Sequence, residues 1–311
     1  MKDNYGREIN YLRVSVTQRC NLNCVYCGRE PCKKKGSELS PEQIQIIVKA
    51  FAACGINKVR ITGGEPLLRK DICEIVSSVR SIPEITSLSL TTNGVLLSEY
   101  AEKLKKAGLD SVNISLDTLD REKYKSMTGY DALNSVIDGI RAAQDAGLSP
   151  VKINAVLIND VNADEAEKLI NVAKDNDIDV RFIELMPFSE AGAQKGKMVT
   201  GKSLLQKFTF LTPLPKSRDT AQYYTADGFK GRIGFIDPMS RKFCRECSRI
   251  RLLCDGRVKP CLGYDAAYDV MPYIDDENLL INHIRTIIKS KPAGHSFENG
   301  EPAHGLNITG G

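Results

Sequence analysis

Arg19-Cys20-Asn21-Leu22-Asn23-Cys24-Val25-Tyr26-Cys27 follows closely on the alternating run Leu12-Arg13-Val14-Ser15-Val16. The run reads as a strand, and the stretch behind it spaces three thiols as Cys-x3-Cys-x2-Cys. A cubic iron-sulfur cluster normally takes four thiolates, so a loop with three and no adjacent fourth leaves one iron open to another ligand. Zinc is the alternative for such a loop. It would want a fourth Cys or His close by, and only Cys32 is available.

Outward from this loop, strand and helix alternate. The first helix is predicted to begin at Pro41, with Ser40 as N-cap and Gln43 completing a capping box, and to stop at Gly55. Strands at 58–62, 87–91, 111–115, 152–157 and 179–184 then alternate with helices at 71–80, 98–107 and 132–146 and with a helix capped by Asn162 and Glu165. Six strands in this order predict a parallel sheet with right-handed crossovers.

The strand faces decide which kind. Leu12, Val14, Val16, Val59, Ile61, Leu88, Leu90, Val112, Ile114, Ile153 and Leu157 form an apolar face that should pack on helices. The other face carries Arg13, Ser15, Lys58, Arg60, Thr62, Ser87, Ser89, Thr91, Asn113, Ser115, Lys152, Asn154 and Arg181. A doubly wound sheet is apolar on both faces, and a closed eight-stranded barrel is apolar inside. The expected architecture is therefore α/β, an incomplete (β/α)6 parallel barrel over 1–187 with a C-terminal extension over 188–311. Arg13, Lys58, Arg60, Lys152 and Arg181 put five cations on four strands, with no carboxylate among these inner positions, which fits an anionic ligand such as a triphosphate. Just past the second strand, Gly63-Gly64-Glu65-Pro66 offers close backbone approach and an acceptor where such sheets place ligands.

Beyond Pro187 the rhythm breaks, with a short helix near 203–208. Cys244-Arg245-Glu246-Cys247-Ser248-Arg249-Ile250-Arg251 follows, and Cys261 completes a Cys-x2-Cys-x13-Cys group. Zinc suits this knuckle equally, with Cys254 as a fourth ligand. Arg249 and Arg251 are spaced to add two cations to one strand face. Cys54, Cys73 and Cys254 read as buried thiols, Cys32 as a free loop thiol.

At 311 residues the chain has room for a barrel with an appendage. A net charge of +4 is too slight to imply nucleic acid or an anionic membrane as partner. No apolar segment resembles a signal peptide or a membrane span, which predicts a cytoplasmic protein. Six of the ten cysteines lie in two tight groups, which suggests metal ligation in a reducing compartment.

The first cysteine loop, with Tyr26 before its last cysteine and a strand ahead of it, resembles the radical S-adenosylmethionine (SAM) enzymes. That resemblance implies a 4Fe-4S cluster on Cys20, Cys24 and Cys27 whose open iron chelates SAM. Reduction then splits SAM into methionine and a 5′-deoxyadenosyl radical. It also implies SAM contacts at Tyr26, Gly64, Glu65, Ser115 and Met186. Together with the second cysteine group, its Arg-x-Arg and the final Gly310-Gly311, the chain resembles the GTP 3′,8-cyclase family, which opens molybdenum cofactor biosynthesis.

This second resemblance implies another 4Fe-4S cluster on Cys244, Cys247 and Cys261, whose open iron binds guanine. It implies GTP contacts at Arg13, Arg60, Thr91, Lys152, Arg249 and Arg251, further basic contacts at Lys58 and Arg181, and entry of Gly310 and Gly311 into the active site among Arg13, Arg60 and Lys152. The implied reaction removes the 3′ hydrogen of GTP, joins C3′ to C8 and gives 3′,8-cyclo-7,8-dihydro-GTP. The implied partners are GTP, an electron-donor protein and a cyclic pyranopterin monophosphate synthase receiving the product; a homodimer is allowed. One departure is Gly28-Arg29-Glu30-Pro31-Cys32, where the family often has a bulky apolar residue after the last cysteine; it leaves room for another nucleotide substrate. A radical SAM peptide-modifying enzyme is the competing reading, though its extension usually carries more cysteines. A zinc-containing nucleic-acid adaptor would want a basic, aromatic surface, and the chain has no Trp. His283, His295 and His304 lie outside every motif.

Overall fold

The computed structural model describes residues 1–28, 38–216, 220–295, 297 and 305–310. Cys32, His304 and Gly311 lie outside the described residues. β1 (Tyr11–Ser15) leads into the cysteine loop, and α1 (Pro41–Ala53) follows. Its capping box forms as predicted: the Ser40 hydroxyl accepts from the Gln43 N–H at 3.2 Å, and the Gln43 side chain accepts from the Ser40 N–H at 3.0 Å. Then come β2 (Lys58–Thr62), α2 (Ile72–Arg80), β3 (Ser87–Thr92), α3 (Leu97–Lys106), β4 (Ser111–Ser115), α4 (Arg121–Thr128) and α5 (Leu133–Asp145). β5 (Val151–Val156), α6 (Ala166–Asp175) and β6 (Ile178–Ile183) close the series.

The second half adds α7 (Glu190–Ala193), α8 (Gly201–Lys207), β7 (Thr212–Pro213), β8 (Gln222–Thr225), β9 (Ile233–Ile236), β10 (Arg249–Leu252), β11 (Arg257–Lys259) and β12 (Tyr268–Asp269). Two helices end it, α9 (Glu277–Lys289) and α10 (Leu306–Thr309). Helices α4 and α9 stand where the sequence predicts none. α9 starts on an Asp276 cap and buries Leu280, Ile284, Ile287 and Ile288, packing against α1.

All the described strands join one sheet in the order β12-β11-β10-β1-β2-β3-β4-β5-β6-β9-β8-β7. The six predicted strands are parallel neighbours, and the extension lengthens the parallel run at both edges: β10 beside β1 and β9 beside β6. The sheet does not close, so the barrel is incomplete as expected, but the extension is woven into it and does not simply follow it. Leu12, Val59, Leu88, Val112 and Ile153 are at most 1% exposed, on the face that packs against the helices. Each such side chain contributes about 1.5–3 kcal/mol by leaving water.

Two expectations need correction. Asn162 and Glu165 are not a capping pair. The Asn162 side chain accepts from the Ile158 N–H and donates to the carbonyls of Asp117 and Val156, while buried Glu165 receives Thr118, Leu119 N–H, Lys123 and Lys168. Nor is the polar face free of carboxylates. Asp179 stands in register with Lys152 and takes Arg232 through two bonds of 2.9 and 2.6 Å.

Candidate active site

The loop carrying Cys20, Cys24 and Cys27 leaves the C-terminal end of β1, whereas Cys247 stands two residues ahead of β10, which runs parallel to β1. The two cysteine groups therefore lie at opposite ends of neighbouring parallel strands. All six thiols nevertheless line one cavity of about 300 Å³. Arg13, Arg60, Arg249, Arg251 and Arg181 line the same cavity.

Close backbone packing fixes the first cysteine loop. Asn23 and Val25 donate their N–H groups to the carbonyls of Thr128 and Met127 at 2.8 and 3.0 Å, so the end of α4 holds the loop. Gly28 has φ +56°, and a Cβ there would lie 1.6 Å from the Phe188 carbonyl oxygen. The glycine that departs from the family habit is thus required by this chain's own packing. A Cβ on Gly64 would lie 2.3 Å from the Arg19 carbonyl oxygen, which lets the loop pass directly over the strand end.

Tyr26 is buried and donates to Asp117 Oδ2 at 2.7 Å, while Asp117 Oδ1 accepts from the Val156 N–H at 2.8 Å. Burial pushes the Asp117 carboxyl up to about 6. Asp117 is a wall residue to which the sequence assigns no role. Gly64, Ser115 and Met186 also stand in the wall, but Glu65 stands behind it. Its fully buried carboxylate accepts from Leu67 N–H, Thr92 hydroxyl and Asn93 N–H at 3.0, 2.7 and 2.7 Å, and burial raises it to about 7. Asn93 in turn donates its side-chain amide to Asn21 of the cysteine loop at 2.8 Å. In this structure Glu65 braces the loop through Asn93.

The arginines are crowded by register. Arg60, Arg13 and Arg251 occupy one rung across β2, β1 and β10, and Arg249 stands one alternate position away, its guanidinium 5.1 Å from the Phe243 ring centre. Burial, then the charge of Arg251, pulls Arg13 well below its ordinary value. Burial, then Arg249, brings Arg251 down to about 10. Such mutual repulsion is relieved by a polyanion. Arg181 is held by the side-chain oxygens of Asn154 and Asn113 at 2.6 to 2.9 Å, neutral partners that leave its charge in place. Thr91 lines the cavity; Lys58 and Lys152 are not among the lining residues. Lys58 opens β2 and is exposed, and Lys152 shares its rung with Asn113 and Asp179.

The tail reaches this cavity. Leu306 donates its N–H to the Cys27 carbonyl at 2.9 Å, and Leu306 and Asn307 form part of the wall. Gly310 has φ +67°, a Cβ on it would lie 2.6 Å from Thr62 Oγ1, and its carbonyl accepts from Arg251. Gly310 thus meets Arg251, Thr62 and Ser15, a different set from the expected Arg13, Arg60 and Lys152. His295 also stands in the wall, its Nε2 2.9 Å from the Pro238 carbonyl oxygen, although no motif includes it.

The donor sets suit iron-sulfur ligation. The nine described cysteines are free thiols; Cys54 and Cys254 are buried as expected, Cys73 only partly, and the six lining the cavity are half-buried. Arg249 and Lys291 outweigh the effect of burial on Cys247 and hold its thiol down at about 6, in its metal-binding thiolate form. Among the described residues no three His, Cys, Asp or Glu side chains converge on a single ion. The first group lies on one loop, whereas Cys244 and Cys247 precede β10 and Cys261 follows β11.

Comparison with known proteins agrees with this geometry. The signature of the radical SAM superfamily matches residues 14–173, and that of molybdenum cofactor synthesis C matches 178–297. A GTP 3′,8-cyclase from Peptoclostridium acidaminophilum is 43% identical over 96% of this chain and 94% of its own length. One from Alkaliphilus oremlandii is 42% identical over the whole of both. In fold the chain resembles Streptococcus suis SuiB bound to S-adenosylmethionine, with a TM-score of 0.66 at 16% identity, covering 90% of this chain and 68% of that one. The chain belongs to the GTP 3′,8-cyclase family of the radical SAM superfamily.

Proposed function

We propose that this protein is a radical SAM lyase that converts GTP to 3′,8-cyclo-7,8-dihydro-GTP, the first step of molybdenum cofactor biosynthesis, with SAM and two 4Fe-4S clusters. The observation that carries the reading is one cavity lined at once by both three-cysteine groups and the arginine rung. Cys20, Cys24 and Cys27 would hold one cluster, and Cys244, Cys247 and Cys261 the other. Bound together, the first cluster and SAM would supply the radical that takes the 3′ hydrogen of the ribose.

The chain's own residues bind and orient. Tyr26, Gly64, Ser115 and Met186 would form the SAM wall, with Glu65 bracing it from behind. Arg13, Arg60, Thr91, Arg249 and Arg251 would hold GTP, the guanidiniums taking its phosphates through charged hydrogen bonds. Arg181 extends that charge along the sheet, and Lys58 and Lys152 sit at the entering ends of their strands, where they would act on the phosphates from farther off. Placing GTP between the opposite strand ends would set C3′ toward the SAM side, which is the positional part of catalysis. The tail, Gly310 and Gly311, would cover the bound nucleotide and keep water out. We divide the chain into 1–187, which builds the SAM side, and 188–311, which builds the second cluster.

An electron-donor protein, a cyclic pyranopterin monophosphate synthase taking the product, a second copy of the chain and a cytoplasmic setting complete the proposal. Among the described residues no helix is long and apolar enough to cross a membrane. Anaerobic turnover with SAM and a reductant across GTP, ATP and ITP tests the reading. GTP should give the cyclised product with matching 5′-deoxyadenosine. Preferred turnover of another nucleotide, or SAM cleavage that no nucleotide stimulates, would contradict it.

A further inference from the structure

Asp3-Asn4-Tyr5-Gly6-Arg7 belongs to no motif, yet it builds a closed knot. The Asp3 carboxylate accepts from the N–H groups of Tyr5 and Arg7, both at 2.9 Å, and from Arg7 Nε at 2.6 Å. The other Arg7 donors go to four carbonyls. Nη1 reaches Cys244 and Ala293 at 2.9 and 3.0 Å, and Nη2 reaches Pro292 and Lys291 at 2.7 and 3.3 Å. Arg7 is 6% exposed and Asp3 7%. A guanidinium has five N–H donors in a rigid fork, and here each has an acceptor.

Lys291, whose carbonyl Arg7 holds, continues the frame. It is 3% exposed, and its ammonium donates to the carbonyls of Arg249 at 2.7 Å and Pro260 at 2.6 Å. Those carbonyls lie two residues after Cys247 and one before Cys261. Arg7 thus ties down Cys244, and Lys291 ties down the segments of Cys247 and Cys261. The N-terminal strap is also paired to the knuckle directly, since the N–H groups of Asn10 and Tyr11 both reach the Ser248 carbonyl at 3.2 Å. Lys291 lines the cavity, and among the described residues no carboxylate pairs with it.

We infer that Arg7 and Lys291 are positioning residues of the second cluster, which fix the spacing of Cys244, Cys247 and Cys261 at the cavity wall. The inference rests on the reading of those three cysteines as cluster ligands. It gives the N-terminal segment a part in the chemistry at the far end of the chain. A purely structural strap would lower thermal stability and leave the cluster unchanged; a positioning frame changes the cluster itself.

The test uses anaerobically reconstituted full-length protein as wild type, Lys291→Met and Arg7→Lys, the last keeping the charge but not the fork. Two readouts are followed: the electron paramagnetic resonance signal of the reduced second cluster, and the rate at which a chelator removes its iron. Both variants should show a shifted second-cluster signal and iron loss faster by about tenfold, the effect of one charged hydrogen bond, with the SAM-responsive signal of the first cluster unchanged. If Lys291→Met does not fold, Arg7→Lys alone decides. A wild-type signal and iron-loss rate in the folded variants would overturn the inference. Absence of iron from Cys244, Cys247 and Cys261 in the wild type would instead overturn the cluster reading beneath it.

Discussion

Arg249 and Arg251 sit on the same face of β10 but do different work. Arg249 lies between the Phe243 ring and Cys247, whereas Arg251 shares a rung with Arg13 and holds the Gly310 carbonyl. A charged hydrogen bond is worth about 1.5–3 kcal/mol, so Arg249→Ala and Arg251→Ala should each weaken GTP binding about tenfold or more, with iron content kept in Arg251→Ala. Arg251→Ala should also release the tail and lose more product than affinity. Equilibrium binding of GTP to both variants, with iron analysis alongside, checks this; unchanged affinity in both would remove the pair from the phosphate site. At this scale the sequence is legible where chemistry follows spacing: the six thiols and the Arg-x-Arg pair, marked by their spacing alone, all line the one cavity. Asp117, His295, Arg7 and Lys291 are not legible. Each draws its role from partners dozens to hundreds of positions away, as when Arg7 finds Cys244.

Glu165 shows what holds the elements around the site. It ties the start of α6 to the turn before α4, and α4 in turn carries the cysteine loop. Burial alone would raise its carboxyl, but Lys168, Thr118, the Leu119 N–H and Lys123 together hold it at about 2, below the ordinary 4.5. A depressed carboxyl stabilises the fold above pH 4.5 and loses that contribution as the pH falls through 2. Glu165→Gln should therefore cost about 2–3 kcal/mol at neutral pH, and the gap from wild type should shrink between pH 4.5 and pH 2. Urea unfolding of the cluster-free protein at neutral pH and at pH 3 measures it; a gap independent of pH would show that the carboxylate's charge does not matter. The six alternating strands and the Ser40 cap are readable because period and cap chemistry are local. α9 has a readable apolar period at Leu280, Ile284 and Ile287 but is not predicted, and β9 is only four residues, too short for alternation to announce it, whereas β10 is announced by its Arg-x-Arg spacing.

The whole molecule works by bringing both ends of the chain to one cavity. The N-terminal knot clamps the second cysteine group, and the tail runs from the Cys27 carbonyl to Arg251. Gly310 fits between Thr62 and Ser15 only without a side chain. Deleting Gly310 and Gly311 should leave folding, iron content and GTP binding nearly intact and strongly reduce cyclised product, while SAM cleavage continues uncoupled; full product formation by the truncated protein would make the tail a bystander. That two separate three-cysteine groups each carry a 4Fe-4S cluster on one substrate cavity is what the proposed chemistry requires. Anaerobic iron, sulfide and zinc analysis of the wild type and of the Cys20→Ala, Cys24→Ala, Cys27→Ala triple variant tests it most directly. The wild-type chain should hold eight irons, two clusters of four, and the triple variant one remaining cluster. Zinc in place of iron at Cys244, Cys247 and Cys261, in protein purified anaerobically from iron-replete cells, would contradict it.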